Sequence, residues 1–361
     1  MTTQSTILLT GTGAFAARIL FDIAATARAP TCVVLAGRNR ERLQWLNVAA
    51  GARAAIFNTP VTVIAREVDL FAEDAATRLL EETKPSVVVQ AASVQTSSVI
   101  AGSGNAWSRL VAEGGLSATA VFQAVLSARV AAAMTRLGRT IPLINCSFPD
   151  VVNGLIKALG HRVLCGMGNV AILSSVFAAD RDLMERGRIK VLAHYQHLGA
   201  WRRPAETRSG SAPRVWIDNE EVGDVFGTFA YVKLTPEPVI DISGASGVPM
   251  ILALAEGRSW TGHVPGPYGM PGGYPVQLTD GALSLNLPPS VSQEEAVAWN
   301  ARFEEENGLI IGADRRARYT GILRERLAQH SPVLAEGFDV ADLEEVNRSM
   351  QELRIKLQQQ G

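Results

Sequence analysis

The sequence predicts a doubly wound α/β fold followed by an α+β domain, and three observations carry this prediction. Short apolar runs rich in β-branched residues alternate with segments of helical period through the first half of the chain. A glycine-rich turn joins the first apolar run to the first helical segment. The chain has 361 residues, which is long enough for two domains. We therefore predict one domain over residues 1–165 and a second over residues 166–361.

Six apolar runs are predicted to form one parallel sheet in the first half. Each of the first four is followed by a stretch of helical period, for example residues 15–27 and 71–83. A strand followed by a helix and a further strand is typical of parallel βαβ units. The six predicted strands cover residues 6–10, 32–37, 61–68, 86–91, 141–145 and 163–166.

The second half mixes strands and helices without regular alternation. A strand-like run covers residues 189–194, and residues 214–234 alternate like a hairpin around Asp218-Asn219. The remaining predicted elements are a helix over residues 248–256, a strand over 282–287 and a helix starting near Ser292.

The last helix is predicted to begin near Asp339. It carries an apolar stripe at helical spacing, formed by Leu343, Val346, Met350, Leu353 and Leu357. Such a stripe packs either on the core or on another subunit.

The composition is that of a globular protein and excludes several kinds of partner. Lys and Arg total 34 against 35 Asp and Glu, so the net charge of -1 supplies no basic field for nucleic acid or an anionic membrane. We expect neither a leader peptide nor a stretch long enough to span a membrane. The three cysteines are widely spaced in apolar surroundings, which indicates a reducing, cytoplasmic location without a disulfide framework: Cys32, Cys146 and Cys165.

The turn after the first strand has the form G-x-G-x-x-A, and it opens a helix. In such a turn, Gly11 permits the tight bend, Gly13 lets the backbone approach a pyrophosphate, and Ala16 keeps the helix close to the sheet. The helix N-terminus adds free N–H groups and a favourable dipole. We predict dinucleotide binding here, against the alternative of a tight turn without a ligand, by Gly11, Thr12, Gly13, Ala14 and Phe15.

The second strand ends at Gly37 and is followed by Arg38, Asn39 and Arg40. Enzymes that use NAD commonly place an acidic residue near this point to bind the ribose hydroxyls. A guanidinium instead accepts a 2′-phosphate, so Arg38 with Asn39 favours NADP, with NAD kept as possible. The alternative is a pair of solvated arginines at the start of a helix.

Two further strand ends are predicted to contact the cofactor by position alone. Asp69 follows the third strand, and Ala91, Ala92 and Ser93 follow the fourth. The adenine and nicotinamide halves of a dinucleotide pass these points in doubly wound sheets.

Three later segments follow one another in an order with a known counterpart. Ser108-Arg109-Leu110 opens a helix, residues 143–150 read Leu-Ile-Asn-Cys-Ser-Phe-Pro-Asp, and residues 163–169 form a strand and a glycine turn. This order resembles the lactate/malate dehydrogenase superfamily, which includes the NAD-dependent family 4 glycoside hydrolases. The resemblance implies a Rossmann domain with a second α+β domain. It also implies that Asn145 touches nicotinamide or substrate. Arg109 is then either a lid cation or a solvated helix residue, and both alternatives stay open.

The resemblance implies one catalytic histidine between the domains. The segment Ala193-His194-Tyr195-Gln196-His197-Leu198-Gly199 lies at the corresponding place. His197 is favoured and His194 is the alternative, because imidazole exchanges protons near neutral pH as hydride moves. A satisfied histidine at a strand end is the structural alternative.

The chain departs from the family in the helix after the second glycine turn. Residues 169–177 contain neither the Asp that orients the histidine nor the Arg that clamps a substrate carboxylate. Lactate or malate would therefore be poorly oriented. We predict an oxidoreductase, NADPH-preferring, that transfers hydride to or from a carbonyl, alcohol or imine carbon of a small polar substrate. A homodimer is expected.

Two other functions stay open. The first is a metal-assisted, NAD-dependent sugar-processing enzyme, because Cys165 and His197 resemble the Cys and His with which family 4 glycoside hydrolases hold a divalent metal. Two protein ligands need a third, however, and the alternative is that Cys165 is a buried apolar side chain. We assign no metal ligand. A dinucleotide-binding redox sensor without turnover is the other possibility.

Overall fold

A six-stranded parallel sheet lies at the centre of the first half. The computed structural model describes residues 4–95, 104–179, 183, 187–234 and 238–360. The strands are β1 (Ser5–Thr10), β2 (Thr31–Gly37), β3 (Val61–Glu67), β4 (Val87–Gln90), β5 (Leu143–Asn145) and β6 (Cys165–Gly166). Their order is β3-β2-β1-β4-β5-β6, which confirms the predicted doubly wound Rossmann fold. The strand order reverses between β1 and β4, and this opens a crevice at their carboxyl ends.

Helices cover both faces of this sheet. Side chains alternate along β1, so Leu8 joins the core on one face while Ile7 and Leu9 join the core on the other. The helices are α1 (Ala14–Thr26), α2 (Arg40–Phe57), α3 (Ala75–Thr83), α4 (Ala106–Gly114), α5 (Ala120–Arg136) and α6 (Pro149–Ala158).

The second half is α+β, as predicted. The hairpin around Asp218-Asn219 is present, and both residues have the positive φ (52° and 70°) of a tight hairpin turn. It is shorter than predicted because a helix begins at Val225. The elements are α7 (Val170–Ala178), β7 (Ile189–Leu192), β8 (Arg214–Ile217), β9 (Glu220–Glu221), α8 (Val225–Thr228), α9 (Pro238–Ser246), α10 (Val248–Glu256), β10 (Trp260–Pro265), β11 (Gly273–Thr279), β12 (Ala282–Leu285) and α11 (Gln293–Glu306).

The C-terminal segment returns to the first half of the chain. Its last helix packs on α4 and α5, and the predicted apolar stripe from Leu343 to Leu357 is buried in the same core as Leu8 and Val34. The stripe therefore serves the core, while the boundary at residue 165 stays a prediction. The elements are β13 (Leu309–Ile311), β14 (Arg316–Tyr319), α12 (Gly321–His330), α13 (Pro332–Ala335), β15 (Phe338–Asp339) and α14 (Leu343–Gln358).

We expected no segment long enough to span a membrane, and this expectation is wrong when only the length and composition of the helices are considered. Two helical stretches, Leu116–Arg136 and Val239–Glu256, are long and apolar enough. The first is 83% buried inside the protein, as expected for a core helix, and the second is 44% buried.

Candidate functional site

A cleft of about 520 Å³ lies where β1, β2, β3 and β4 end. Its apolar wall includes Val68, Leu70 and Leu126. Nine residues predicted to bind the cofactor line this one cleft: Gly11, Thr12, Gly13, Arg38, Asn39, Asp69, Ala91, Ala92 and Ser93.

The two glycines of the turn have different roles in the backbone. Gly11 has φ 104°, and a Cβ atom there would lie 3.0 Å from the carbonyl carbon of Ala91 and the amide nitrogen of Ala92. Only glycine fits this bend without strain. Gly13 has an ordinary φ of -73°, and a Cβ atom built on it would meet nothing within 4 Å. The space above Gly13 is therefore open to a ligand.

The first turn of α1 supplies donors beside this open space. Gly13 is the N-cap residue, no side chain caps the helix, and its first turn holds no acidic residue. The first N–H groups of α1 have no partner within the helix, and they favour an anion. Ala14 and Phe15 belong to this turn but do not line the cleft. These features fit the pyrophosphate of a dinucleotide.

Three arginines surround the end of the cleft at β2. Arg38 is exposed and lines the cleft, whereas Arg40 is exposed but does not line it. The side chain of Asn39 caps α2 by accepting a hydrogen bond from the amide of Arg42 at 2.9 Å. Arg42 in turn donates from Nε to the carbonyl of Thr12 at 3.4 Å. Sequence reasoning missed Arg42, although the cap at Asn39 could have indicated that it faces the glycine turn.

The other lining residues are held by local hydrogen bonds. Asp69 Oδ1 accepts from the amide of Phe71 at 3.0 Å. The carbonyl of Ala92 accepts from Gln90 Nε2 at 2.8 Å and from Ser147 Oγ at 3.3 Å. These hydrogen bonds hold Asp69 and the backbone of Ala92 in place beside the cleft.

The predicted contact of Asn145 with nicotinamide or substrate stays a prediction, and the structure gives this side chain another role. Asn145 is fully buried, and its Oδ1 accepts from Ser127 Oγ at 2.9 Å and from the amide of Ser147 at 3.0 Å. Its Nδ2 donates to the carbonyl of Ser147 and to Asn153 Oδ1. Both donors and both acceptor positions are used within the protein. Asn145 therefore holds the turn after β5 together.

The predicted acid/base role of His197 gains no support from its surroundings and stays a prediction. Its ring is 3% exposed and stacks on Trp299 at 5.3 Å between ring centres. Nδ1 accepts from the amide of His194 at 2.9 Å. Burial lowers the pKa of His197 to about 3, so the ring is neutral at physiological pH. It does not line the cleft beside Gly11 and Gly13.

His194, the alternative, is enclosed as well. It is 1% exposed and stacks on Phe303 at 5.3 Å. Its Nε2 lies 3.2 Å from Glu304 Oε1, although the pair lacks the direction of a good hydrogen bond. Both histidines thus pack against α11. Neither lines the cleft beside Gly11 and Gly13, which we name the dinucleotide cleft.

These histidines belong to a buried polar cluster that sequence reasoning did not find. Glu304 Oε2 accepts from Ser117 Oγ at 2.8 Å and from the amide of Leu309 at 2.6 Å. Asp150 accepts from the amide of Tyr195 at 3.1 Å and from the side chain of Asn169. We name as the polar cluster the residues Ser117, Asp150, Asn169, His194, Tyr195 and Glu304.

The polar cluster joins the ends of β5, β6 and β7. Burial raises the pKa of the Asp150 carboxyl above its usual value. Asn169 has φ 47° and ψ -102°, a strained backbone that the bond to Asp150 holds. Asp150 and Glu304 also reach a second cleft of about 480 Å³ between α6 and α11. Sequence analysis assigned no role to Asp150, and Glu304 lies in a run of three glutamates without any local signal.

Arg109 lies on the first turn of α4, exposed, and donates from Nη1 to the carbonyl of Gly104 at 2.6 Å. Residues 96–103, which precede it, lie outside the described residues. Its role as a lid cation stays a prediction.

The metal alternative finds no support at Cys165. That side chain is fully buried, with Sγ 3.7 Å from Met250 Sδ. No group of three or more His, Cys, Asp or Glu side chains suited to a metal ion occurs among the described residues.

Comparisons with known proteins place the chain by fold alone. No protein-family model matches it, and no curated protein matches its sequence. Malate dehydrogenase from Picrophilus torridus is similar in structure, with 12% identity and a TM-score of 0.54 over 83% of this chain and 94% of that one. Malate dehydrogenase from Archaeoglobus fulgidus, in complex with NADH, has 14% identity and a TM-score of 0.53 over 90% and 99%.

Lactate dehydrogenase from Eimeria maxima, solved with NADH and oxamate, is a third similar structure. It has 12% identity and a TM-score of 0.51 over 84% of this chain and 94% of that one. The chain therefore has the fold that malate and lactate dehydrogenases share, in a divergent sequence.

Proposed function

We propose that the protein is an oxidoreductase dependent on a nicotinamide dinucleotide, with a preference for NADPH. The observation that carries this proposal is the single cleft lined by nine predicted residues, with open space over Gly13 beside the free end of α1. The fold adds support, because two structures similar to this chain were solved with NADH.

The preference for NADPH rests on the arginines at the end of β2. Arg38 lines the cleft, and Arg42 lies against Thr12 in the turn. A 2′-phosphate gains charge-assisted hydrogen bonds from guanidinium groups, whereas a 2′-hydroxyl gains little.

When bound, the nicotinamide supplies or accepts a hydride. The substrate is a small polar molecule with a carbonyl, alcohol or imine carbon, without a carboxylate that needs a bidentate clamp. Because His194 and His197 are enclosed, we no longer assign the proton transfer to either of them.

Fluorescence titration of two variants with NADPH and NADH tests the cofactor assignment. Arg38→Ala removes the guanidinium that lines the cleft, and Arg40→Ala removes an exposed neighbour that does not. We expect Arg38→Ala to weaken NADPH binding about 10- to 100-fold and to leave NADH binding within about twofold. Equal losses of NADPH affinity in both variants would mean that the arginines attract the 2′-phosphate only through long-range charge, without direct contact.

A non-catalytic dinucleotide-binding redox sensor is the second candidate. The burial of both predicted catalytic histidines favours it. A panel of carbonyl and imine substrates with NADPH separates the two functions. Oxidation of NADPH by any substrate supports the enzyme, and tight binding without turnover across the panel supports the sensor.

We propose a second copy of the chain as the partner. The outer face of α2 exposes Trp45 at 59%, Val48 at 64% and Ile56 at 75%, and α2 is apolar on its inner face as well. Exposed apolar side chains grouped on one helix face mark an interaction surface. Sedimentation equilibrium should show a dimer that Trp45→Glu with Ile56→Glu converts to monomer; a monomeric wild type would exclude it.

A further inference from the structure

A third cleft, of about 650 Å³, lies at the amino ends of β5 and β6, at the opposite edge of the sheet from the dinucleotide cleft. Four basic side chains line it, and we name it the basic cleft for Arg139, Lys157, His161 and Arg162. None of the 18 described lining residues is acidic. Asp280, at the tip of the β11–β12 hairpin, is exposed and does not line it. Burial lowers the pKa of His161, so three of the four side chains are cations at neutral pH, and in a chain of net charge -1 this concentration of positive charge is local.

The sequence builds the basic cleft from two connections of the same kind. The helix α5 is followed by Leu137-Gly138-Arg139, and α6 is followed by Leu159-Gly160-His161-Arg162. Gly138 and Gly160 have positive φ, 62° and 86°. Because β5 and β6 pair in parallel, the two connections lie side by side and bring their basic residues together.

These cations are not needed to cap the two helices. The amides of Gly138 and Arg139 already donate to the carbonyls of Thr135 and Met134. The amides of Gly160 and His161 donate to the carbonyls of Lys157 and Ile156 in the same way. Backbone hydrogen bonds therefore already cap the C-termini of both helices.

Two of the basic side chains are held in place. Arg139 donates from Nη1 to the carbonyl of Leu80 at 3.1 Å. His161 Nδ1 lies 3.1 Å from Thr135 Oγ1, whose own proton goes to the carbonyl of Ala131. Nδ1 therefore donates to Thr135, and Nε2 is left as the ring's second nitrogen.

The rest of the cleft is apolar and partly aromatic. Tyr268 is 43% exposed, and its hydroxyl group bonds to both backbone groups of Leu283. The stem of Lys157 lies against Gly269, where a Cβ atom would come within 2.8 Å of Lys157 Cβ. Apolar residues behind the cations include Met134, Ile141, Pro142, Val163 and Leu164.

We propose that the basic cleft binds a small amphipathic anion, a phosphate or carboxylate carried on an apolar or aromatic body. The cations receive the anionic group, and the apolar residues with Tyr268 receive the body. This site is separate from the dinucleotide cleft, and nothing in it depends on the proposed oxidoreductase activity.

Isothermal titration calorimetry with phenyl phosphate, benzoate and inorganic phosphate tests the proposal. We expect phenyl phosphate or benzoate to bind with a Kd below about 1 mM, and the better of the two identifies the anionic group. Inorganic phosphate, which lacks the apolar body, should bind at least fivefold more weakly than phenyl phosphate if phosphate is the group.

Matched variants locate the binding. Arg162→Gln should weaken it about tenfold. Arg136→Gln changes an arginine of the same helix end that pairs with Thr77 and Asp74 instead, and it should have no effect. Arg38→Ala should also have no effect. Lys157→Gln serves as a second variant of the cleft should Arg162→Gln not fold. The proposal would be overturned if neither aromatic probe bound at 10 mM (roughly tenfold above the expected Kd), if Arg136→Gln weakened binding as much as Arg162→Gln, or if Arg38→Ala weakened it.

Discussion

The dinucleotide cleft and the polar cluster around His194 differ in what determines them. The cleft is built from backbone at the ends of adjacent strands, and its shape follows from Gly11 and from the turn into α1. The cluster is built from side chains of distant segments, since Glu304 of α11 lies against His194 after β7. Local spacing indicates the first kind of site, whereas the second depends on which helix packs over the strand end.

The comparison also separates the effects expected of substitutions. A change in the cleft should affect ligand binding more than the free energy of unfolding. A change in the polar cluster should do the reverse, because its members bond to one another and not to the cleft.

The largest effect on binding is expected for Gly11→Val. Its Cβ atom would lie 3.0 Å from the backbone of Ala91 and Ala92, and φ 104° is strained for valine. We expect NADPH binding to fall more than 100-fold, with a loss of about 1–3 kcal/mol in the free energy of unfolding. Fluorescence titration and urea unfolding measure the two. Retained binding would show that the turn does not hold the cofactor.

The largest effect on stability is expected for Glu304→Ala. It leaves the hydroxyl group of Ser117 and the amide of Leu309 without their shared acceptor in a buried site. We expect a loss of about 2–4 kcal/mol in urea unfolding, because two buried donors become unsatisfied, with NADPH binding unchanged while the protein is folded. His330→Ala, in the last turn of α12, should cost no more than about 0.5 kcal/mol. A stable Glu304→Ala protein with altered NADPH binding would place the cluster in the cofactor site instead.

A smaller effect concerns the pH dependence of stability. The pKa of His197 is about 3 in the folded protein and about 6.5 in the unfolded chain. As the pH falls below about 6.5, the unfolded chain gains a proton that the folded protein does not, so stability decreases by up to about 1.4 kcal/mol per pH unit.

His197→Asn removes this contribution while its amide oxygen can still accept from the amide of His194. Asp150, whose pKa is raised, contributes in the opposite direction in both proteins and cancels in the difference. Urea unfolding at pH 7 and pH 5 should give a smaller drop for the variant. Equal drops would mean that His197 is accessible to protons in the folded protein.

Much of the fold was predictable from the sequence because period and glycine spacing are local. The strands β1 and β2, the helix α10 and the apolar stripe of α14 fall close to their predicted positions. The site was predictable only where backbone defines it. The burial of Asn145 and His197 was not predictable, because sequence cannot show that Ser127 and Asn153 bond to Asn145 or that Trp299 stacks on His197.

The central claim is that the open space over Gly13 receives the pyrophosphate of a dinucleotide. Gly13→Ala tests it most directly, since the new methyl group meets no protein atom within 4 Å and φ is ordinary. We predict NADPH binding at least tenfold weaker by fluorescence titration, with the free energy of unfolding changed by no more than about 1 kcal/mol. Unchanged NADPH binding in a protein of unchanged stability would contradict the account.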